Sequence, residues 1–306
     1  MDERASKRRM SSLRALLVIL ALATPVAAAP STEDAWLTTL TDRVIDDLKA
    51  GKPLVAEVHV PLCDNTIISC GNARLGNGDS LDGNLLWTTT PGFGSWFVRR
   101  GSGWKRVAKH RETGDPDILA IDVYRRTIST PAAWRKRGAP ARFELDLVIH
   151  AWRGKAIDAA LAAYAKDVSG GAPRDVVLDD RSVLHAGGAA QLVAWVGHNR
   201  LMDLDTFAWP EPGAEAKGTI AIACHTAAYM EAEVSGSTRV PLLMTRDLLF
   251  ANAAPLEAVV LAFANGHGYA KIRSDAAVAY AAIRERPVDK ISGAFTNPSD
   301  RRWKKR

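Results

Sequence analysis

Two reactive side chains stand at the ends of short apolar runs. Residues 192–198 read Leu-Val-Ala-Trp-Val-Gly-His, and residues 219–224 read Thr-Ile-Ala-Ile-Ala-Cys. Short continuous apolar runs are the pattern of parallel strands buried on both faces. Open α/β sheets hold their ligands beyond the carboxyl ends of such strands. The pattern therefore predicts that His198 and Cys224 reach the same sheet edge from neighbouring strands. An imidazole beside a thiol is what cysteine nucleophilic chemistry requires, because the thiolate attacks while the base carries the proton.

What a cysteine means depends on the compartment. The chain begins with Arg4, Lys7, Arg8, Arg9 and Arg14, then an apolar stretch from Ala15 to Ala23, then Val26-Ala27-Ala28-Ala29. This basic, apolar and small-residue order predicts a secretory signal peptide over residues 1–28. Cleavage after Ala28 is preferred, since a cut after Ala29 would leave Pro30 first. The apolar stretch is far shorter than the roughly 20 residues that span a bilayer. An exported, periplasmic or extracellular location follows, and with it an oxidising environment. Cys63 and Cys70 flank a six-residue loop, Asp64 to Ser69, suited to a local disulfide. Cys224 is then unpaired, either a reactive thiol or a small buried hydrophobe at a strand end.

Charge excludes one class of partner. The chain has 40 basic and 34 acidic residues, a net +6. Residues 1–28 hold five of the basic and two of the acidic ones, so the remainder carries 35 and 32, or +3. Five of those positives sit in Arg301-Arg302-Trp303-Lys304-Lys305-Arg306, which leaves −2 for the body. A nucleic-acid binder shows its basic stripe in the folded domain, so nucleic acid is not expected as a partner. Residues 286–306 read as a basic C-terminal tail, with 301–306 as a solvated end able to contact an anionic envelope surface.

The elements that must position His198 and Cys224 follow from periodicity. Trp36, Leu37, Leu40, Val44, Ile45 and Leu48 follow helical spacing, giving an N-terminal helix within residues 29–51, with Ser31 and Asp34 placed as a capping box. Residues 54–60 read as a strand running into the Cys63–Cys70 loop, and Leu85 to Trp87 as a short helix broken by Pro91-Gly92. Strands are expected over 104–110, 118–128 and 143–151, then a helix over 155–168 closed by Gly170-Gly171. After the His198 and Cys224 strands come a strand at 240–245 and helices at 255–264 and 274–284. Strands alternating with helices predict an α/β fold over residues 52–285, a mainly parallel sheet flanked by helices. Residues 75–84, dense in Gly, Asn and Asp, read first as a turn or helix entry and second as a calcium or substrate loop.

This pattern resembles the caspase-like cysteine peptidase fold, most closely its separase and CHAT-type branch. There an apolar strand ends in His, a short segment follows, and a second apolar strand ends in Cys. Here those positions read Val196-Gly197-His198-Asn199 and Ile222-Ala223-Cys224-His225. The resemblance implies a three-layer sandwich and a peptidase acting on a protein or peptide substrate without a cofactor or metal. It assigns His198 as base, Cys224 as nucleophile, and backbone N–H groups near Asn199 and Cys224 as oxyanion donors. Asn199 departs from the family's usual Gly. If that position requires a left-handed backbone, Asn is the side chain that tolerates it best after Gly.

Two other readings fit the same residues. His198, Asp203, Asp205 and His225 could supply the ligands of a metal-dependent hydrolase, although no HExxH spacing supports it. A non-catalytic envelope or interaction protein would keep the strand-end His and Cys as structural residues.

Overall fold

Apolar and β-branched residues fill eight strands that pair into one sheet, and the helices between them cover both of its faces. A computed structural model describes residues 32–303. In chain order it runs α1 (Thr32–Lys49), β1 (Leu54–Pro61), α2 (Leu85–Thr88), α3 (Phe93–Trp96), β2 (Lys105–His110), β3 (Ile118–Ser129), α4 (Ala132–Arg135) and β4 (Arg142–Trp152). It continues with α5 (Ile157–Val168), β5 (Pro173–Val177), β6 (Val183–Gly187), β7 (Leu192–Val196), β8 (Lys217–Ile222), α6 (Thr226–Met230) and β9 (Arg239–Thr245). Helices α7 (Ala253–Ala264), α8 (Tyr269–Arg284) and α9 (Val288–Ile291) precede β10 (Phe295–Thr296). The expected signal peptide and Ser31 lie outside the described residues.

The sheet order is β10-β9-β8-β7-β1-β4-β3-β2, with β5 and β6 forming a separate hairpin. Strands β4, β1, β7, β8 and β9 are parallel to their neighbours; β3, β2 and β10 are antiparallel additions. Taken alone, the five parallel strands have the doubly wound order 2-1-3-4-5, whose winding direction reverses between β1 and β7. Ligand crevices in such sheets open at that reversal, beyond the carboxyl ends of the two strands. The predicted α/β fold with a mainly parallel, helix-flanked sheet is therefore what the chain adopts.

One face of the sheet packs against α1, α7 and α8 through Leu40, Val44, Val58, Ile149, Ile220, Leu256 and Val260. The other packs against α5 and α6 through Val193, Trp195, Ala221, Leu161, Tyr164 and Met230. Beside this second core, the β5–β6 hairpin lays Val176, Leu184 and Ala186 over Val55 and Val148. The hairpin has no counterpart in the sequence expectations. Its short segments leave Val177 and Val183 exposed, so neither shows a clean apolar alternation.

Residues 295–303 are anchored on the domain. Phe295 and Thr296 are buried and pair with Thr245 and Met244 of β9. The Asn297 side chain donates to the carbonyls of Leu242 and Tyr269, and Trp303 is buried. Asp300 gathers Arg246, Arg273 and Arg302; burial raises its carboxyl, but hydrogen bonds from Arg302 and the charges of Arg302 and Arg273 bring it down to about 2. Composition suggested a free tail because Arg301 and Arg302 face outward, while Phe295 and Trp303 supply the anchors. Lys304 to Arg306 lie outside the described residues.

Candidate functional site

Strands β7 and β8 are parallel neighbours in the register Val196↔Ile222. The pairing extends past the strand ends, where the Gly197 N–H donates to the Ile222 carbonyl at 3.3 Å. His198 and Cys224 therefore leave the same edge of the sheet, as the two apolar runs predict. Gly197 sits in close approach to β1. A Cβ added there would meet the Pro61 ring at 3.0 Å and its carbonyl oxygen at 3.2 Å. The β1/β7 reversal point is thus drawn tight at the residue before His198.

The side chains around this edge are ordered by hydrogen bonds. His198 Nε2 lies 2.5 Å from Asp203 Oδ2, and Arg200 Nη1 is 3.4 Å from the same oxygen. Trp195 Nε1 donates to the His198 carbonyl at 3.0 Å. The Cys224 sulfur accepts from the Leu249 N–H at 3.4 Å and its thiol donates to the Leu249 carbonyl at 3.7 Å. Among the described residues no hydrogen bond joins the His198 ring to the Cys224 sulfur. Cys224 is a half-buried free thiol, and Cys63–Cys70 is a disulfide with a Cα–Cα distance of 5.9 Å.

Asn199 has an ordinary backbone for a non-glycine residue, with negative φ. Its φ is −81°, so the position needs no left-handed backbone. The side chain is buried and Nδ2 donates to the Cys224 carbonyl at 2.7 Å, tying the two strand ends together. The left-handed residue is His225, with φ of 52°. Its N–H donates to the Asp247 carbonyl at 3.2 Å and Nδ1 lies 2.8 Å from the Arg246 carbonyl. Backbone strain of this kind costs about 1–3 kcal/mol and persists where surrounding contacts enforce it. Here it turns the chain from β8 into α6 directly after the thiol.

The metal-ligand set read from the sequence is not assembled. His198 and Asp203 meet, but His225 faces the Arg246 carbonyl. Residues 75–84 are a turn: Asn84 caps α2 by accepting from the Leu86 N–H, and Asp79 pairs with Arg153.

The sheet instead gathers a second polar group that the sequence reading passed over. Among the described residues, Glu57, His59 and Asp167 form the one cluster whose ligand atoms lie mutually within 4.8 Å. Glu57 and His59 alternate on β1, His150 stands beside His59 on β4, Asp167 reaches down from α5, and Arg174 comes from β5. His59 Nε2 lies 3.0 Å from Asp167 Oδ2, and His150 Nε2 is 2.7 Å from Glu57 Oε1, close but off hydrogen-bond alignment. Arg174 Nη2 donates to Glu57 Oε1 at 2.7 Å and also to Asp167 Oδ2. The Gly187 N–H donates to Glu57 Oε2 at 3.1 Å.

Burial sets the electrostatics of this group. It opposes the charged Glu57, yet the facing His150 and Arg174 hold the carboxyl well below its usual range. For His59 burial outweighs the attraction of Asp167, and its imidazole is pushed down, toward the neutral form. The available signal was the placement of Glu57, His59, Asp146 and His150 in the middle of strands covered on both faces, where polar side chains must find partners.

No family model, curated protein or solved structure matches this chain, so the reading of the site rests on its own geometry.

Proposed function

We propose that this chain is an exported cysteine hydrolase, with Cys224 as nucleophile, His198 as base and Asp203 as the group that orients the imidazole. The observation that carries the reading is the register of β7 and β8, whose parallel ends bring His198 and Cys224 to one sheet edge beside the winding reversal. Asp203 on His198 Nε2 leaves Nδ1 for the thiol proton, a base held by a third group. The resemblance to the separase and CHAT-type branch supplies the substrate class, a protein or peptide amide. The disulfide fits an oxidising compartment, and no described helix is long and apolar enough to cross a membrane.

In the proposed step the Cys224 thiolate attacks the amide carbonyl, and the C–N bond breaks as His198 gives its proton to the leaving amine. Water, deprotonated by His198, then releases the acyl group from the sulfur. Backbone N–H groups near Asn199 and Cys224 would face the oxyanion, a contact worth about 3–4 kcal/mol per donor. Basic residues 304–306 would add contact with an anionic envelope surface.

A second reading is favoured by the two hydrogen bonds that hold the sulfur to Leu249. In it the chain is a non-catalytic binding protein on the same scaffold. Iodoacetamide kinetics separate the two. A hydrolase thiol should react faster near pH 7 in the folded protein than in the denatured chain, because a neighbouring base raises its thiolate fraction. His198→Ala should abolish that advantage, and Cys224→Ala should abolish amidase activity on a peptide library. Slower labelling in the folded state, indifferent to His198→Ala, would leave the binding reading standing.

A further inference from the structure

We infer that Glu57, His59 and Asp167 form a buried binding site for a divalent transition metal such as Zn2+, flanked by His150 and closed by Arg174. Glu57 and Asp167 are fully buried, and Arg174 is the permanently charged side chain that touches both. An uncompensated charge in a dry interior is strongly unfavourable. A dication in place of the guanidinium brings the two carboxylates to neutrality.

Unused polar atoms give an independent reason. Asp167 Oδ1, His150 Nδ1 and His59 Nδ1 are buried without a hydrogen-bond partner, although such atoms are normally satisfied. The His59 imidazole and the Glu57 and Asp167 carboxylates form an NO2 donor set that suits Zn2+ and its neighbours, with a fourth position left for water. Tetrahedral Zn2+ with bonds of about 2.0–2.1 Å sets ligand atoms about 3.3 Å apart. His59 and Asp167 are already at 3.0 Å, and the three principal ligands need only a small closure from within 4.8 Å.

Arg174 has somewhere to go. It lines a cleft of about 520 Å³ together with Trp152, Lys166, Phe207 and Pro210, and its side chain is 31% exposed. Swinging the guanidinium into that cleft would open the cluster to ions from solvent. Arg174 would therefore act as the resident cation that a metal displaces.

The test uses full-length mature protein carrying Cys224→Ala, which removes the thiol as a competing ligand, stripped with chelator and titrated calorimetrically with ZnCl2. One equivalent of Zn2+ is expected to bind. His59→Gln and Asp167→Asn should each weaken it at least tenfold, since even loss of an outer partner weakens metal sites by about 10–100-fold. Arg174→Met should tighten it. Failure to bind one equivalent, or binding unchanged by His59→Gln and Asp167→Asn in proteins with native near-UV dichroism, overturns the assignment. If the variants do not fold, Co2+ bound to the Cys224→Ala protein decides. The intense visible bands of four-coordinate cobalt support the site, and the weak bands of six-coordinate cobalt refute it.

Discussion

Replacing Arg174 by Met removes the cation shared by Glu57 and Asp167 while keeping most of the stem that packs beneath the hairpin. Both carboxylates are fully buried, and breaking a buried ion pair by removing one partner costs about 3–5 kcal/mol. Arg174 is partly solvent-reachable, so the lower end, about 3 kcal/mol near pH 7, is expected. In the native chain burial works against the charged Glu57, but His150 and Arg174 depress its carboxyl below the unfolded value of about 4.3. Near pH 4 the unfolded chain then binds more protons. This contribution to stability is present above that pH and is lost as pH falls through the depressed folded value. Without Arg174 the burial that opposes the charged Glu57 loses one of the interactions offsetting it, and the Glu57 carboxyl is expected to rise above its unfolded value and take up a proton. The folded variant then binds more protons than its unfolded chain, and it loses stability as pH rises. The gap between native and variant proteins should therefore widen from about pH 4 to about pH 8. Urea denaturation followed by tryptophan fluorescence, with chelator present to remove metal stabilisation, measures it. A gap below about 1 kcal/mol at pH 7, the range of an exposed ion pair, or one that does not change with pH, would refute the reasoning.

Further outcomes are expected from single contacts. Asn199→Ala removes the donor to the Cys224 carbonyl and should cost about 1–3 kcal/mol, read as a lower urea midpoint together with faster or slower alkylation of Cys224. Replacing Cys63 and Cys70 by Ser opens a short ring and should cost about 2–3 kcal/mol on the chain-entropy account; the same loss should appear when the native protein is unfolded with reductant. Phe295→Ala should cost about 3–5 kcal/mol, because its ring is fully buried against Tyr280. A solvated C-terminal tail would instead leave the thermal midpoint unchanged.

The strands that carry His198 and Cys224 were legible because their signal is local. An uninterrupted apolar run of five or six residues, repeated between helical periods, suits little other than a parallel strand covered on both faces. The Cys63–Cys70 disulfide was legible for the same reason, since the two residues are close in sequence and one short loop brings them together. The tie made by the Asn199 side chain was not, because its acceptor is the carbonyl of a strand end 25 residues away. Nor was the anchoring of Phe295 and Trp303, whose partners in β9, α6 and α8 are distant in the chain.

The polar group at Glu57 marks the boundary between sequence and tertiary structure. By itself the sequence determined that β1 alternates Val55, Glu57, His59 with Ala56, Val58, Val60, a pattern equally suited to a strand with one wet face. Only the tertiary structure decided that this face is dry, because α5 and the β5–β6 hairpin close over it. The register of β1 against β4 then set His59 beside His150. The packing of α5 brought Asp167 into contact from 108 residues away. Apolar burial is additive and can be read along the chain, whereas partners for buried charges depend on which distant residues the packed elements bring within a few ångströms.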